Sequence, residues 1–233
     1  MSALLLLDLD GVTVLRIPEP GRTEATVILQ PALIDAVSNL GFRVVILTHR
    51  SRAEAEQIVR AIVVDAAKMP LILAAEDLVK AAVRDGRIFR LLRQGIQKAF
   101  AVPYLERVWG VSRERMAVLD DNEGNIRTMI AAGVGLKVLT PTALLNEQVV
   151  RTFRSDVLLE LLDNWRNSTC VANDTVELAS DLETQVSQLQ RIEVVQATLS
   201  GTIRKLAKTF RRAVHRSPAM SAGDAVNNSR PGI

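Results

Sequence analysis

With 233 residues, 48% hydrophobic and 24% charged, the chain has length for one well-buried core plus an appendage, and its balance excludes wholesale disorder. Aromatic residues make up only 3%, so the core is built from Leu, Ile, Val and Ala, and a reading based on base stacking is weakened. The net charge of +3 is too mild to argue by itself for nucleic acid or membrane, and a lone cysteine, Cys170, excludes an internal disulfide.

The apolar run Ala3–Leu7 has no basic flank and is too short for a signal peptide or a membrane span. It reads as a buried parallel strand feeding an acidic loop, and the chain is expected to be cytoplasmic. Arg16–Thr26, with Pro18, Pro20 and Gly21, reads as a loop or small flap. A helix is expected over Ala32–Asn39, stopped by Gly41; a strand over Arg43–Leu47; and a helix over Ser51–Val64 capped by Ser51. A third strand follows at Leu71–Ala74, then helices at Glu76–Arg84 and Phe89–Val108, the second kinked or split at Pro103. Met116–Leu119 and Leu136–Leu139 read as the fourth and fifth strands, with a helix at Asn125–Ala132 between them.

Five short apolar strands alternating with helices predict an α/β, Rossmann-like domain with a five-stranded parallel sheet covered on both faces, here placed at 1–142. Residues 143–173 are expected to form a mostly helical segment packing on that domain, ending in a linker. A long amphipathic helix is expected over 174–216. Its apolar residues Leu178, Leu182, Leu189, Ile192, Leu199, Ile203, Leu206 and Phe210 approximate a coiled-coil seam, interrupted by Gln185, Gln196 and Gly201. The Ser/Gly/Asn/Pro-rich stretch 217–233 is expected to be disordered.

In parallel sheets, ligands collect beyond the carboxyl ends of the strands. There the sequence places Asp8, Asp10 and Gly11 after strand one, Thr48 after strand two, and Asp120 and Asp121 after strand four. Carboxylates gathered at one edge repel each other unless a cation compensates, and hard oxygen donors suit Mg²⁺. A hydroxyl and a lysine beside them would suit phosphate oxygens.

The ordered segments LLLLDLDGV, VVILTHRS, a lysine opening a helix and MAVLDDNEGNI resemble the four motifs of the haloacid dehalogenase (HAD) superfamily, over about residues 3–140. The resemblance implies a Mg²⁺-dependent phosphatase in which Asp8 is the nucleophile and Asp10 the general acid and base. It further implies Thr48 and Lys98 as phosphate-binding residues, and Asp8, Asp10 (through its backbone carbonyl) and Asp121 as metal ligands. Gly11, Asp120 and Asn125 would support them. Lys98 lies 23 residues before Asp121, a separation similar to the family pattern, and is preferred over Lys80 and Lys68. Asn125 stands where the family often has a second acid, and His49 and Arg50 could touch substrate or lie at the surface.

The spacings leave no room for a large cap, so the site is expected to be capless or nearly so, with a phosphorylated substrate of unknown class. The helix 175–215 could join copies of the chain, and its basic end (Arg204, Lys205, Lys208, Arg211, Arg212, Arg216) could meet nucleic acid or anionic membrane. Two other readings stand beside the phosphatase. One is an interaction protein that keeps the fold with little or no turnover; the other is a nucleic-acid 3′-phosphatase.

Overall fold

In the computed structural model, which describes residues 3–17, 23–63, 68–146, 148–168 and 175–195, the first apolar run forms β1 (Ala3–Leu7), buried at every position. The chain then makes a hairpin of β2 (Val14–Ile17) and β3 (Thr23–Ile28), followed by α1 (Leu33–Asn39) and β4 (Phe42–Leu47). Next come α2 (Arg52–Ile62), β5 (Leu71–Leu73), α3 (Ala75–Arg84), α4 (Ile88–Gln94), α5 (Ala101–Trp109), β6 (Met116–Asp120), α6 (Glu123–Ala131) and β7 (Leu136–Leu139). A second hairpin, β8 (Leu144–Asn146) and β9 (Val149–Thr152), leads to α7 (Ser155–Asn167). The described part ends in three short strands, β10 (Thr175–Glu177), β11 (Leu182–Gln185) and β12 (Arg191–Val195). All of it falls within the unit Met1–Thr198.

The main sheet runs β10-β7-β6-β1-β4-β5, and its five pairings are all parallel. Side chains alternate between its faces. Leu5 and Leu7 join Val44, Ile46, Ala117 and Leu119 under α1, α2 and α7, while Leu4 and Leu6 join Val45, Leu47, Met116 and Val118 under α3, α5 and α6. Strand order reverses at β1, with β4 and β5 on one side and β6 and β7 on the other. The ends of β1, β4 and β6 therefore share one crevice, the usual ligand position in such sheets. Helix starts beside that crevice are well defined: Ser51 and Glu54 form a reciprocal cap on α2, and Asn122 caps α6 through the amides of Gly124 and Asn125.

The five expected strands are present, and the sheet gains a sixth at its edge, β10. Four expectations change. Where a loop or flap was expected over Arg16–Thr26, its described residues belong to β2 and β3, which pair antiparallel. The split in the 89–108 helix falls at Gly95, with φ +76°, and Pro103 sits in the first turn of α5, where its missing N–H costs little. β8 and β9 pair antiparallel, so among the described residues of that region α7 is the packed helix, held by Leu158 and Leu162 and by a Phe42–Trp165 ring stack at 6.1 Å.

The largest change is at 175–195. The expected long helix is replaced by strands that complete three separate sheets: β10 on β7, β11 on β9, and β12 on β3. Leu178 and Ile192 pack on the core rather than forming a seam, and Leu189 packs with Val27, Leu29, Ala143 and Val150. The apolar spacing was compatible with a helix, but pairing with distant strand edges decided otherwise. The rest of the expected helix, its basic end and the expected disordered tail lie outside the described residues. No helix among the described residues is long and apolar enough to cross a membrane.

Candidate active site

Asp8 follows a strand buried at every position and is itself buried. Its backbone N–H continues the ladder to the Leu119 carbonyl at 3.0 Å, and its Oδ1 accepts the Leu9 N–H at 2.7 Å. The other oxygen, Oδ2, meets Lys98 Nζ at 2.6 Å. Lys98 opens a short 3-10 turn, Lys98–Phe100, whose Ala99 and Phe100 are also buried, so the turn anchors the ammonium from beneath. The same ammonium donates to Asp120 Oδ2 at 2.7 Å, and Lys98 is only 2% exposed. Lys80 and Lys68, the rival lysines, instead pair near the surface with Asp77 and Asp35.

Asp120 is saturated. Besides Lys98 it accepts from Asn125 Nδ2 at 3.0 and 3.2 Å and from the Asn122 N–H at 3.0 Å. Asn125 therefore serves as a neutral donor to Asp120, a contact a carboxylate could not make. Asp121 is half-buried and packs directly over Gly11: a Cβ there would fall 2.0 Å from Asp121 Oδ2. Gly11 has φ +76°, so both the turn and the close approach require glycine.

Ligand oxygens of Asp8, Asp120 and Asp121 lie within 4.8 Å of one another. Three carboxylates face one ammonium, an excess of negative charge in a site largely removed from water. Burial, with the Asp120 charge behind it, pushes Asp8 up to about 7 even against Lys98. Burial and then Asp120 also raise Asp121. Burial alone would lower Lys98, but its two carboxylates outweigh that and raise it, so the ammonium stays charged. The cluster can hold a metal ion. Since Asp120 is engaged by three donor groups, Asp8 and Asp121 are the carboxylates with oxygens to offer.

Thr48, fully buried after β4, accepts the Arg50 N–H on its Oγ1 at 3.2 Å, which leaves its hydroxyl proton for another acceptor. Asp10 faces a different partner. Arg50 grips it with Nε at 3.1 Å from Oδ1 and 2.9 Å from Oδ2, and with a terminal nitrogen 2.6 Å from Oδ1. Arg16 of β2 approaches the same Oδ1 at 3.3 Å. Burial would raise Asp10, but these guanidiniums outweigh it and hold the carboxyl below its ordinary value. The two residues that follow Thr48 differ: His49 is exposed yet near enough to the site that burial, and then the Lys98 charge, lower its proton affinity, whereas Arg50 is 2% exposed and grips Asp10. Sequence alone carried no signal for this, because the partners lie 40 positions apart. Thr13 was also missed; its hydroxyl donates to the carbonyls of Asp8 and Leu9, both at 3.0 Å, bracing the turn.

All four segments thus meet at one crevice, three of them at the ends of β1, β4 and β6 and the lysine on its short turn. The fold is a doubly wound, Rossmann-like α/β sheet. Neither the protein-family models nor the curated proteins contain a match to the chain. Among solved structures, one match is the 3-deoxy-D-manno-octulosonate 8-phosphate phosphatase of Moraxella catarrhalis, determined with magnesium, phosphate and the sugar. It is 19% identical, covers 59% of this chain and 67% of its own, and has a TM-score of 0.41. Another, from Streptomyces avermitilis MA-4680 and provisionally assigned to the HAD hydrolases, is 20% identical over 59% and 71% of the two chains, TM-score 0.40. A HAD phosphatase of Bacteroides thetaiotaomicron, BT1666, is 12% identical over 76% and 90%, TM-score 0.38. These partial likenesses carry no argument about activity, which rests on the side chains described above.

Proposed function

We propose that the chain is a Mg²⁺-dependent phosphomonoesterase that works through an aspartyl-phosphate on Asp8. The observation that carries this reading is the buried Lys98 ammonium shared by Asp8 and Asp120, with Asp121 close by. Burying such a group is costly, and a hydrophobic residue would stabilise the fold at least as well, so its retention fits a chemical task.

In the first step a carboxylate oxygen of Asp8 attacks phosphorus while the bond to the leaving oxygen breaks, and the Asp10 carboxyl gives that oxygen its proton. Thr48, through its available hydroxyl proton, and Lys98 hold the phosphoryl oxygens. In the second step a water attacks phosphorus and passes its proton to Asp10, releasing phosphate and freeing Asp8. Bound Mg²⁺, held by Asp8, Asp121 and the Asp10 carbonyl, would supply the positive charge that the carboxylate cluster lacks. The approach of a phosphate dianion would raise Asp10 again, offsetting the effect of the guanidiniums on its proton affinity.

The test is phosphate release from an aryl phosphate and a panel of phosphoesters, with Mg²⁺ and with EDTA, for wild type and Asp8→Asn. Release that needs both Mg²⁺ and Asp8 supports the reading. No release from any compound favours the alternative, a HAD-fold interaction protein without turnover, to which the tight Arg50–Asp10 pair and Asn125 lend some support.

A further inference from the structure

The Arg50–Asp10 contact is more than a charge pair. The guanidinium side chain is 1% exposed and the Asp10 side chain 37% exposed, so a buried cation holds from behind a carboxylate that opens toward solvent. Three contacts of 2.6 to 3.1 Å engage both oxygens and fix the plane of the carboxyl group. Arg50 itself is tied down. Its N–H donates to Thr48 Oγ1 at 3.2 Å, and its carbonyl accepts the Ala75 N–H at the start of α3, at 3.0 Å. One residue therefore links the hydroxyl after β4, the carboxyl after β1 and the first turn of a helix.

We propose that Arg50 is a positioning residue that aims the Asp10 carboxyl at the leaving oxygen, and that it governs which leaving groups the site can expel. The inference rests on the phosphomonoesterase reading. The physical ground is orientation. Asp10 sits beside Gly11, at a turn where a side chain would otherwise sample several rotamers, and proton transfer demands one of them. A planar guanidinium fixes that choice through its fork, which the ammonium of lysine cannot copy. Arg16, half-exposed, approaches Oδ1 with its Nε at the longer distance of 3.3 Å. Leaving groups that depart as stable anions need no proton, so they should be indifferent to Arg50. Basic alkoxide leaving groups should depend on it.

The experiment compares an alkyl phosphate with 2,4-dinitrophenyl phosphate for wild type, Arg50→Ala and Arg50→Lys, all with Mg²⁺. The expected result is a loss of about 10²-fold in kcat for the alkyl ester in Arg50→Ala, the scale of a general-acid contribution. The dinitrophenyl ester should lose only a few-fold, which also shows that the variant is folded. KM for both should change little. Arg50→Lys should behave like the alanine variant, and low-millimolar guanidinium should restore part of the alkyl rate to Arg50→Ala. Equal losses on both esters, or a lysine variant as fast as wild type, overturn the inference while leaving the phosphomonoesterase intact. A wild type that hydrolyses neither ester overturns that reading, and the inference with it.

Discussion

Asp8 and Asp10 are separated by one residue, yet Asp8 is buried against an ammonium it shares with Asp120, whereas Asp10 opens toward solvent against the guanidiniums of Arg50 and Arg16. Proton affinity follows these surroundings in opposite directions: burial pushes Asp8 up to about 7, while the guanidiniums hold Asp10 low. A nucleophile needs the reverse, an ionised Asp8, and an acid needs a protonated Asp10. The protein's own residues thus leave the site one cation and one anion short. On the proposed function a divalent cation would favour an ionised Asp8 and a substrate phosphate would favour a protonated Asp10, so the chemistry would switch on only when both are bound.

The comparison can be broken at either carboxylate. Asp8→Asn has the largest expected effect, a loss of activity on the order of 10⁴-fold or more in steady-state turnover. The same variant should melt above wild type at pH 8 without divalent cations, because it removes a charge the fold buries at a cost. The sign follows from linkage. Asp8 is raised above its unfolded value, so its stabilisation is full below about pH 4, the unfolded range, and is lost as pH rises through about 7. Wild type should therefore close the gap on acidification to pH 5, which melting curves at the two pH values will show.

Lys98→Met comes next. It leaves Asp8 and Asp120 facing each other without their cation, and urea titration should show a destabilisation of about 3–5 kcal/mol at neutral pH. Mg²⁺ should raise the melting temperature of wild type, more at pH 8 than at pH 5, because it competes with the proton for Asp8. Asn125→Asp is expected to be the smallest. It replaces a donor 3.0–3.2 Å from the Asp120 oxygens by a like charge, costing about 1–3 kcal/mol in the absence of divalent cations, and Mg²⁺ should recover part of it.

Much of this site was legible from the residues. The strand ends of β1, β4 and β6 follow from short β-branched or leucine runs closed by polar residues, and they place Asp8, Thr48, Asp120 and Asp121 without any knowledge of contacts. Lys98 was separable from Lys80 and Lys68 by its spacing to Asp121, and the structure buries Lys98 alone of the three. Arg50 was not separable from a surface arginine, because its partner is set by the crossing of two loops 40 positions apart. The segment 175–195 was misread for a related reason. Val176, Ile192, Val194 and Val195 carry strand propensity, but the intervals between Leu178, Leu182, Leu189 and Ile192 also suit a helix. Only the open edges of β7, β9 and β3, distant in sequence, decide between the two.

The central claim is that Asp8 becomes phosphorylated. A single turnover with a ³²P-labelled phosphomonoester that the enzyme hydrolyses, quenched in acid and digested with trypsin, tests it most directly. The account predicts transient, hydroxylamine-labile label on the peptide of residues 1–16, absent from Asp8→Asn. Hydrolysis at the full wild-type rate with no label on that peptide, or with label that survives Asp8→Asn, would contradict it.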